Sequence, residues 1–341
     1  MKVTINDIAK AANVAKSTVS KVLNDAPTIP EETKRRVRAI MKELQYTPSS
    51  IAKQLAKQSS FAIGFIMDVD HKDEFLNPFV YHMLGGAESV VCKHQYEMTI
   101  SNVSSRDDND DFIARYVLSK KLDGMLLHTS VLTPSRIKQL NQLNYPYVVV
   151  GQPAMKNAPV TYVDIDNELG GKLAASHLLE QGYRRIAFIG GVPGEPISHN
   201  RLLGYHEALS AANPEHDDRY VRLGEANEER GYRQMSDLLE LPERPDAVIC
   251  VNNLVAFGAL KAASDRGLSV PAELGLVTFD NYPLAPFTTP ALTALDNDTF
   301  HLGVMASEVL FEKMNQQPVQ ARYLLQPQLI VRNSSMHEPG K

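Results

Sequence analysis

From Phe61 onward the chain alternates short apolar runs with amphipathic stretches, and this rhythm constrains the fold more than any other feature. FAIGFIM (61–67) reads as a buried strand, and NPFVYHMLGGAESVVCKHQY (77–96) then carries apolar residues at helical spacing. EMTISNV, DGMLLHT and YPYVVVG continue as strands, with DDFIARYVLSKK and PSRIKQLNQL as the helices between them. A second series opens at Val160 with TYVDID. It runs through GGKLAASHLLEQG, RRIAFIGG, HNRLLGYHEALSAA, RYVRLGE, RGYRQMSDLLEL, DAVICVN, LVAFGALKAASDRG and LGLVTFD. Such alternation predicts an α/β body with parallel, doubly wound sheets and helices on both faces, here in two lobes.

The first 58 residues are different in kind. They hold eleven Lys and Arg against five Asp and Glu, a formal charge of +6, whereas the whole chain sums to −5 and residues 59–341 therefore carry −11. A basic module joined to an acidic body points to a polyanionic partner for the module alone. Within it, Thr4 and Asp7 are spaced for a capping box, followed by the apolar stripe Ile5, Ile8, Ala9 and Ala12. A helix over about 5–12 is expected, then a turn at Ala12-Asn13-Val14. A second helix over about 16–24 would bury Val19, Val22 and Leu23 and show Lys16, Ser17, Ser20 and Lys21 on its other side. A third, opening after Pro30 with Glu31 and Glu32 at its positive end, would turn Val37, Ile40, Met41 and Leu44 inward. Two short helices joined by a tight turn, the second exposing hydrogen-bond donors, form a helix-turn-helix.

The run TINDIAKAANVAKSTVSKVLNDAPTIPEETKRRVRAIMKELQYTPSSIAKQLAKQ (4–58) resembles the head and hinge of the lactose/galactose repressor family over its full length. The resemblance implies a DNA-binding domain over 1–48, a tether over 49–58 and an effector-binding body over 59–341. Lys16, Ser17, Thr18 and Lys21 would address base edges or phosphates in the major groove, and Thr4, Asn24 and Tyr46 would hold the backbone register. Lys16 and Lys21 otherwise read as phosphate-seeking surface charges. Ala15 stands where the family carries a capping Ser, a loss worth ~1 kcal/mol, and Lys21 stands where Arg is common, without the fork that pairs with guanine. Ser49 and Ser50 are placed to cap a tether helix of about two turns, too short to persist alone in water. Leu55 would wedge into the minor groove, with Ala52 and Ala56 keeping that helix slender; the bland reading packs Leu55 on the body.

The body resembles the sugar-binding portion of the same family, itself similar to periplasmic binding proteins, to about Asn333. Its first lobe is expected at about 59–160 and 293–323, its second at about 161–292 and 324–335. Ligands of such sheets bind beyond the carboxyl ends of the strands. That position selects Asp68, Asp70, Phe75, Asn77, Phe79, Asn102, His128, Thr129, Gly151 and Gln152 from the first lobe. Asp166, Arg201, Asn252, Asn253 and Asp280 come from the second. Of these, Asp70, Phe75, Asn102, Gln152, Asp166, Arg201, Asn252 and Asp280 form the candidate effector set. Arg201, Asn252 and Asp280 match the family's effector-binding positions, while Asn253 replaces its usual Asp. Carboxylates and amides suit vicinal hydroxyls, and rings stack on a sugar's C–H face. Asp68, Asp70 and His128 equally suit solvated loops, and Phe75, Phe79 and Phe287 equally suit a core.

No catalytic constellation emerges. GGVPGEP lacks both the GxGxxG and the P-loop spacing, and GxSxG, HExxH and Cys/His zinc spacings are absent. No cofactor and no metal are expected. Cys92 and Cys250 read as buried thiols, in keeping with a reducing cytoplasm. Met1-Lys2-Val3-Thr4 lacks a signal peptide's apolar core, and no apolar run approaches the ~18 residues of a membrane span. The expectation is a cytoplasmic regulator that binds a pseudo-palindromic double-stranded DNA operator as a homodimer, HEPGK carrying no heptad for further assembly. Its effector would be a sugar or glycoside; a purine, a phosphosugar or a partner protein is the alternative.

Overall fold

The computed structural model describes residues 3–23, 25–47, 54, 57, 59–68, 78–103, 111–155, 157–212 and 218–336. The chain divides into two compact units, Met1–Phe61 and Ala62–Lys341, each described by itself. Asn24, Ser50, Leu55, Asp70, Phe75 and most of the tether lie outside the described residues.

The first unit contains α1 (Ile5–Ala11), α2 (Lys16–Leu23) and α3 (Glu31–Glu43). The Thr4 backbone N–H and hydroxyl both donate to Asp7 Oδ2, at 2.9 and 2.7 Å, and these bonds hold the Asp7 carboxyl below its ordinary range. Ile8, Ala9, Ala12, Val19, Val22 and Val37 form one small core. Leu23 and Leu44, expected inside, are each 36% exposed, because both fall where a helix ends and its apolar stripe runs out. Tyr46 takes the inward place instead: the chain turns back, Tyr46 N donates to Met41 O at 2.8 Å, and the ring packs on the core. Buried Lys34 bridges Asp25 at 3.2 Å and Glu31 at 2.9 Å, and Arg38 reaches Asp25 at 2.7 Å. The loop after α2 is thereby tied to α3.

The second unit is built on two six-stranded sheets. The first holds β1 (Ala62–Met67), β2 (Glu97–Asn102), β3 (Gly124–His128), β4 (Tyr147–Val150), β5 (Tyr162–Ile165) and β11 (Arg322–Leu325) in the order β11-β5-β4-β3-β1-β2. The second holds β6 (Ile186–Ile189), β7 (Val221–Arg222), β8 (Ala247–Cys250), β9 (Gly275–Phe279), β10 (Thr293–Asp296) and β12 (Gln328–Ile330) in the order β12-β10-β9-β8-β6-β7. Neighbouring strands run parallel except β10 and β12. Central strands such as β3, β4 and β8 are apolar and buried almost throughout, as sheets covered on both faces require.

In the first lobe α4 (Pro78–Lys93) and α10 (Thr299–Met314) cover one face, while α5 (Pro134–Gln142) and the π-helical segment Ile113–Leu118 cover the other. In the second, α6 (Asn167–Glu180) with α7 (Pro196–Ala212) and α8 (Glu228–Leu239) with α9 (Asn253–Asp265) do the same. Two boundaries need correction. Tyr162–Ile165, expected to open the second lobe, pairs with β4 and β11 in the first sheet, and Thr293–Asp296, expected in the first lobe, pairs with β9 and β12 in the second. The chain therefore crosses between lobes at residue 166, at 297–298 and at 326–327. Cys92 is exposed at the polar end of α4, contrary to the expected buried thiol, while Cys250 is buried.

Candidate functional site

On the first unit, α2 turns Val19 and Val22 into the core, and the opposite side of the same helix leaves Lys16, Ser17 and Lys21 exposed, with Thr18 and Ser20 half-buried. Ala15 carries no side-chain acceptor; its carbonyl receives Thr18 N at 2.9 Å and Val19 N at 3.2 Å. The helix thus begins without the cap that a Ser would add. Thr4 is exposed, but its hydroxyl is already committed to Asp7. Tyr46 is half-buried.

On the second unit, Arg201 and Asp280 come together at the carboxyl ends of the second sheet. Arg201 lies on α7, whose backbone can approach α6 because Gly171 has no side chain: a Cβ there would stand 2.0 Å from Arg201 O. Arg201 is only 5% exposed, and each nitrogen of its guanidinium faces a protein acceptor. Nε donates to Asn167 Oδ1 at 2.9 Å, NH1 donates to Val251 O at 2.6 Å, NH2 lies 3.8 Å from Asp280 Oδ1, and Cζ sits 3.9 Å from the Phe279 ring centroid. Asp280 ends β9 in the left-handed region, φ +67, one that Asp adopts more readily than most residues. Its Oδ1 accepts from Asn297 Nδ2 at 2.6 Å and its backbone carbonyl from Asn253 Nδ2 at 2.6 Å. Burial holds the Asp280 carboxyl above its ordinary range, against the pull of Arg201 and the bond from Asn297.

The first lobe contributes Gln152 and Asp164. Gln152 Oε1 accepts from Asn200 Nδ2 on α7 at 2.9 Å, a hydrogen bond that spans the lobes. Asp164, 4% exposed, accepts from Gln152 N at 3.0 Å and Ile165 N at 2.8 Å. Burial pushes its carboxyl up to about 6 even so, Arg201 pulling the other way. Nearby, His128 Nδ1 accepts from Ser130 N at 3.3 Å and lies 2.8 Å from Ser130 Oγ. Burial pushes this imidazole down to about 4, so it is neutral at physiological pH.

Two of the expected ligand contacts also cap helices. Asp166 Oδ1 accepts from Leu169 N at 3.0 Å at the start of α6, and Asn252 Oδ1 accepts from Val255 N at 2.9 Å at the start of α9. Asn252 Nδ2 also donates to Ala226 O at 3.1 Å. Asn102 is exposed at the end of edge strand β2, three strand spacings or about 14 Å from the end of β4, the strand that leads to Gln152. Phe79 packs against the first-lobe core, and Phe287 is 81% exposed, so neither joins the Arg201 cluster. Asp164, Asn167, Asn200 and Asn297 were not read from the sequence as site residues. Their signal was placement, since Asp164 and Asn167 flank one interlobe crossing and Asn297 lies on another.

Among the described residues no group of His, Cys, Asp and Glu is arranged to hold a metal, and no helix is long and apolar enough to cross a membrane.

Known proteins resemble the chain over nearly its whole length. Residues 4–49 match the model of the bacterial regulatory proteins, lacI family, and residues 158–335 match the periplasmic binding protein-like domain. The HTH-type transcriptional repressor CytR of Escherichia coli strain K12 is 31% identical over 98% of this chain and 97% of its own. Catabolite control protein A of Priestia megaterium is 29% identical over 97% and 98%. Among solved structures, a transcriptional regulator CelR-cellobiose complex matches with a TM-score of 0.72 at 28% identity, covering 97% of this chain and 99% of that one. The chain belongs to the lacI family of bacterial regulatory proteins, a helix-turn-helix head joined to a periplasmic binding protein-like body.

Proposed function

We propose that this chain is a cytoplasmic transcriptional repressor of carbohydrate utilisation. As a homodimer it reads a pseudo-palindromic operator through α2, and a sugar or glycoside held between its lobes governs that grip. Residues 1–48 bind DNA, 49–58 form the tether with Leu55 as its minor-groove wedge, and the remainder binds effector. The observation that carries the reading is the Gln152–Asn200 hydrogen bond across the lobes beside the Arg201–Asp280 pair. A ligand seated there touches both lobes and biases their relative arrangement, and it shifts operator affinity by its differential affinity for the two arrangements. Support for a sugar comes from the cellobiose complex of the similar regulator.

The test is operator selection from genomic fragments by full-length protein, followed by titration with mono- and disaccharides. Fragment-specific binding that one sugar shifts supports the proposal. Binding that ranks all fragments equally, with or without sugars, rules it out. A purine or a phosphorylated sugar is the competing effector class, and the charge of the cleft separates them.

A further inference from the structure

The cation and the anion of the cleft are not presented alike. The Arg201 side chain is 6% exposed and each of its nitrogens faces a protein acceptor, whereas the Asp280 side chain is 28% exposed. Asp280 Oδ1 faces Arg201 and Asn297, which leaves Oδ2 without a partner among the described residues. Asp164, also within the field of Arg201, is a second carboxylate for the single guanidinium. One step further out, Asp296 and Arg332 are joined through Asn281 and offset each other.

Two buried amides pack against the same aspartate. Asn253 and Asn297 are 5% and 3% exposed, and each spends its Nδ2 on Asp280, the first on the backbone carbonyl and the second on the carboxylate. Those acceptors fix the amide orientation, since a flipped amide would set oxygen against oxygen. Both Oδ1 atoms are consequently left with no hydrogen-bond partner. With two carboxylates against one guanidinium, the uncompensated potential is negative, and the acceptor exposed to the cleft is the Asp280 carboxylate. The Asn at 253, where an Asp is usual in the family, lowers that charge without reversing it.

We infer that this cleft selects an uncharged effector that donates hydroxyl or N–H hydrogens to Asp280, and that it excludes phosphorylated and carboxylated ligands. The inference rests on the effector reading above and narrows it: Arg201 is a counter-ion for Asp280 and not an anion receptor.

The test is calorimetry on full-length protein with neutral sugars (ribose, glucose, cellobiose), their phosphate esters (ribose 5-phosphate, glucose 6-phosphate) and inorganic phosphate, repeated on Asp280→Asn. Asn tolerates the left-handed backbone of position 280, and thermal melting checks that the variant is folded. In the variant the oxygen stays toward Asn297 and Arg201, so an amide donor replaces the exposed acceptor. Wild type is expected to bind a neutral sugar at least about tenfold tighter than its ester and to ignore inorganic phosphate, and Asp280→Asn to shift that ratio at least about tenfold toward the ester. Wild type that prefers an ester or takes inorganic phosphate, or a folded variant with an unchanged ratio, overturns the inference and leaves effector control intact. No binding across the whole panel removes the effector reading itself, and the inference with it.

Discussion

Arg201 stands behind Asp280: the guanidinium, 3.8 Å from Oδ1, is sealed by Asn167, Val251 and the Phe279 ring, and the carboxylate is the member of the pair that meets the cleft. Asn167 and Asn297, which bond to the two members, lie beside or on interlobe crossings. Whatever disturbs the pair therefore also acts on the segments about which the lobes would move.

Truncating the cation tests this arrangement. Arg201→Ala leaves Asp280 and Asp164 without a counter-charge and Asn167 Oδ1 without its donor. Breaking a buried pair in this way costs about 3–5 kcal/mol, so the body's urea midpoint is expected to fall clearly, and sugar control of operator binding to vanish. Operator binding by the intact head should persist at low temperature. A variant that melts with the wild type would show that Arg201 is not the counter-ion.

Asp164 gives a pH signature. Its folded carboxyl titrates at about 6 against an ordinary 3.8, so between those values the folded state holds a proton that the unfolded state has released. Stability then falls as pH rises across that window, by an amount on the order of 3 kcal/mol at most. Asp164→Asn has no such proton to lose. The stability of the variant minus that of wild type should climb between pH 4 and pH 6.5 and level off above, read from urea midpoints in a buffer series. A flat difference would refute the raised carboxyl. The difference is needed because His128, pushed down to about 4, works in the opposite sense: its unfolded state binds the extra proton, so it adds stability as pH rises over the same interval.

What the sequence disclosed follows from range. The rhythm of strand and helix is local, and so were α1 to α3 and the placing of Arg201 and Asp280 at strand ends. Lobe membership is not local. Tyr162–Ile165 joins the first sheet because its partner β11 arrives at Arg322, and Thr293–Asp296 joins the second because it lies beside β9. Residue type did not disclose that Asp166 and Asn252, short side chains at strand ends, also cap the helices that follow. Asn253 and Asn297 escaped notice as a pair because only the fold brings residues so far apart to the same aspartate.

Lys21 separates two modes of DNA contact. Its ammonium is exposed on the outer face of α2. If it neutralises one phosphate, Lys21→Ala should weaken all duplexes alike and reduce the slope of log affinity against log salt by about 0.9. If it reads a base edge, the loss concentrates on the operator and the slope barely moves. Fluorescence anisotropy on operator and random duplexes across a salt series distinguishes the two, and an unchanged affinity on both would remove Lys21 from the interface.

Helix spacing is the remaining control on the Arg201 pair. α6 and α7 touch through reciprocal glycines: a Cβ on Gly171 would lie 2.0 Å from Arg201 O, and one on Gly204 would lie 1.8 Å from Glu168 O. Both obstacles are backbone atoms, so neither contact is relieved by a rotamer change, and the helices must separate. Gly171→Ala is expected to cost at least about 1–3 kcal/mol, the range for overpacking, and to carry Arg201 away from Asp280 so that sugar binding weakens as well. Gly85→Ala is the matched control. It too sits within a helix, yet its nearest neighbour is the Phe300 ring at 3.7 Å, an ordinary contact, and there alanine should stabilise by about 0.5–1 kcal/mol. Melting temperatures moving in opposite directions, with sugar affinity changed only in Gly171→Ala, would tie the cleft to the approach of these two helices. If Gly171→Ala melted and bound sugar as wild type does, the spacing of α6 and α7 would have no part in holding Arg201 against Asp280.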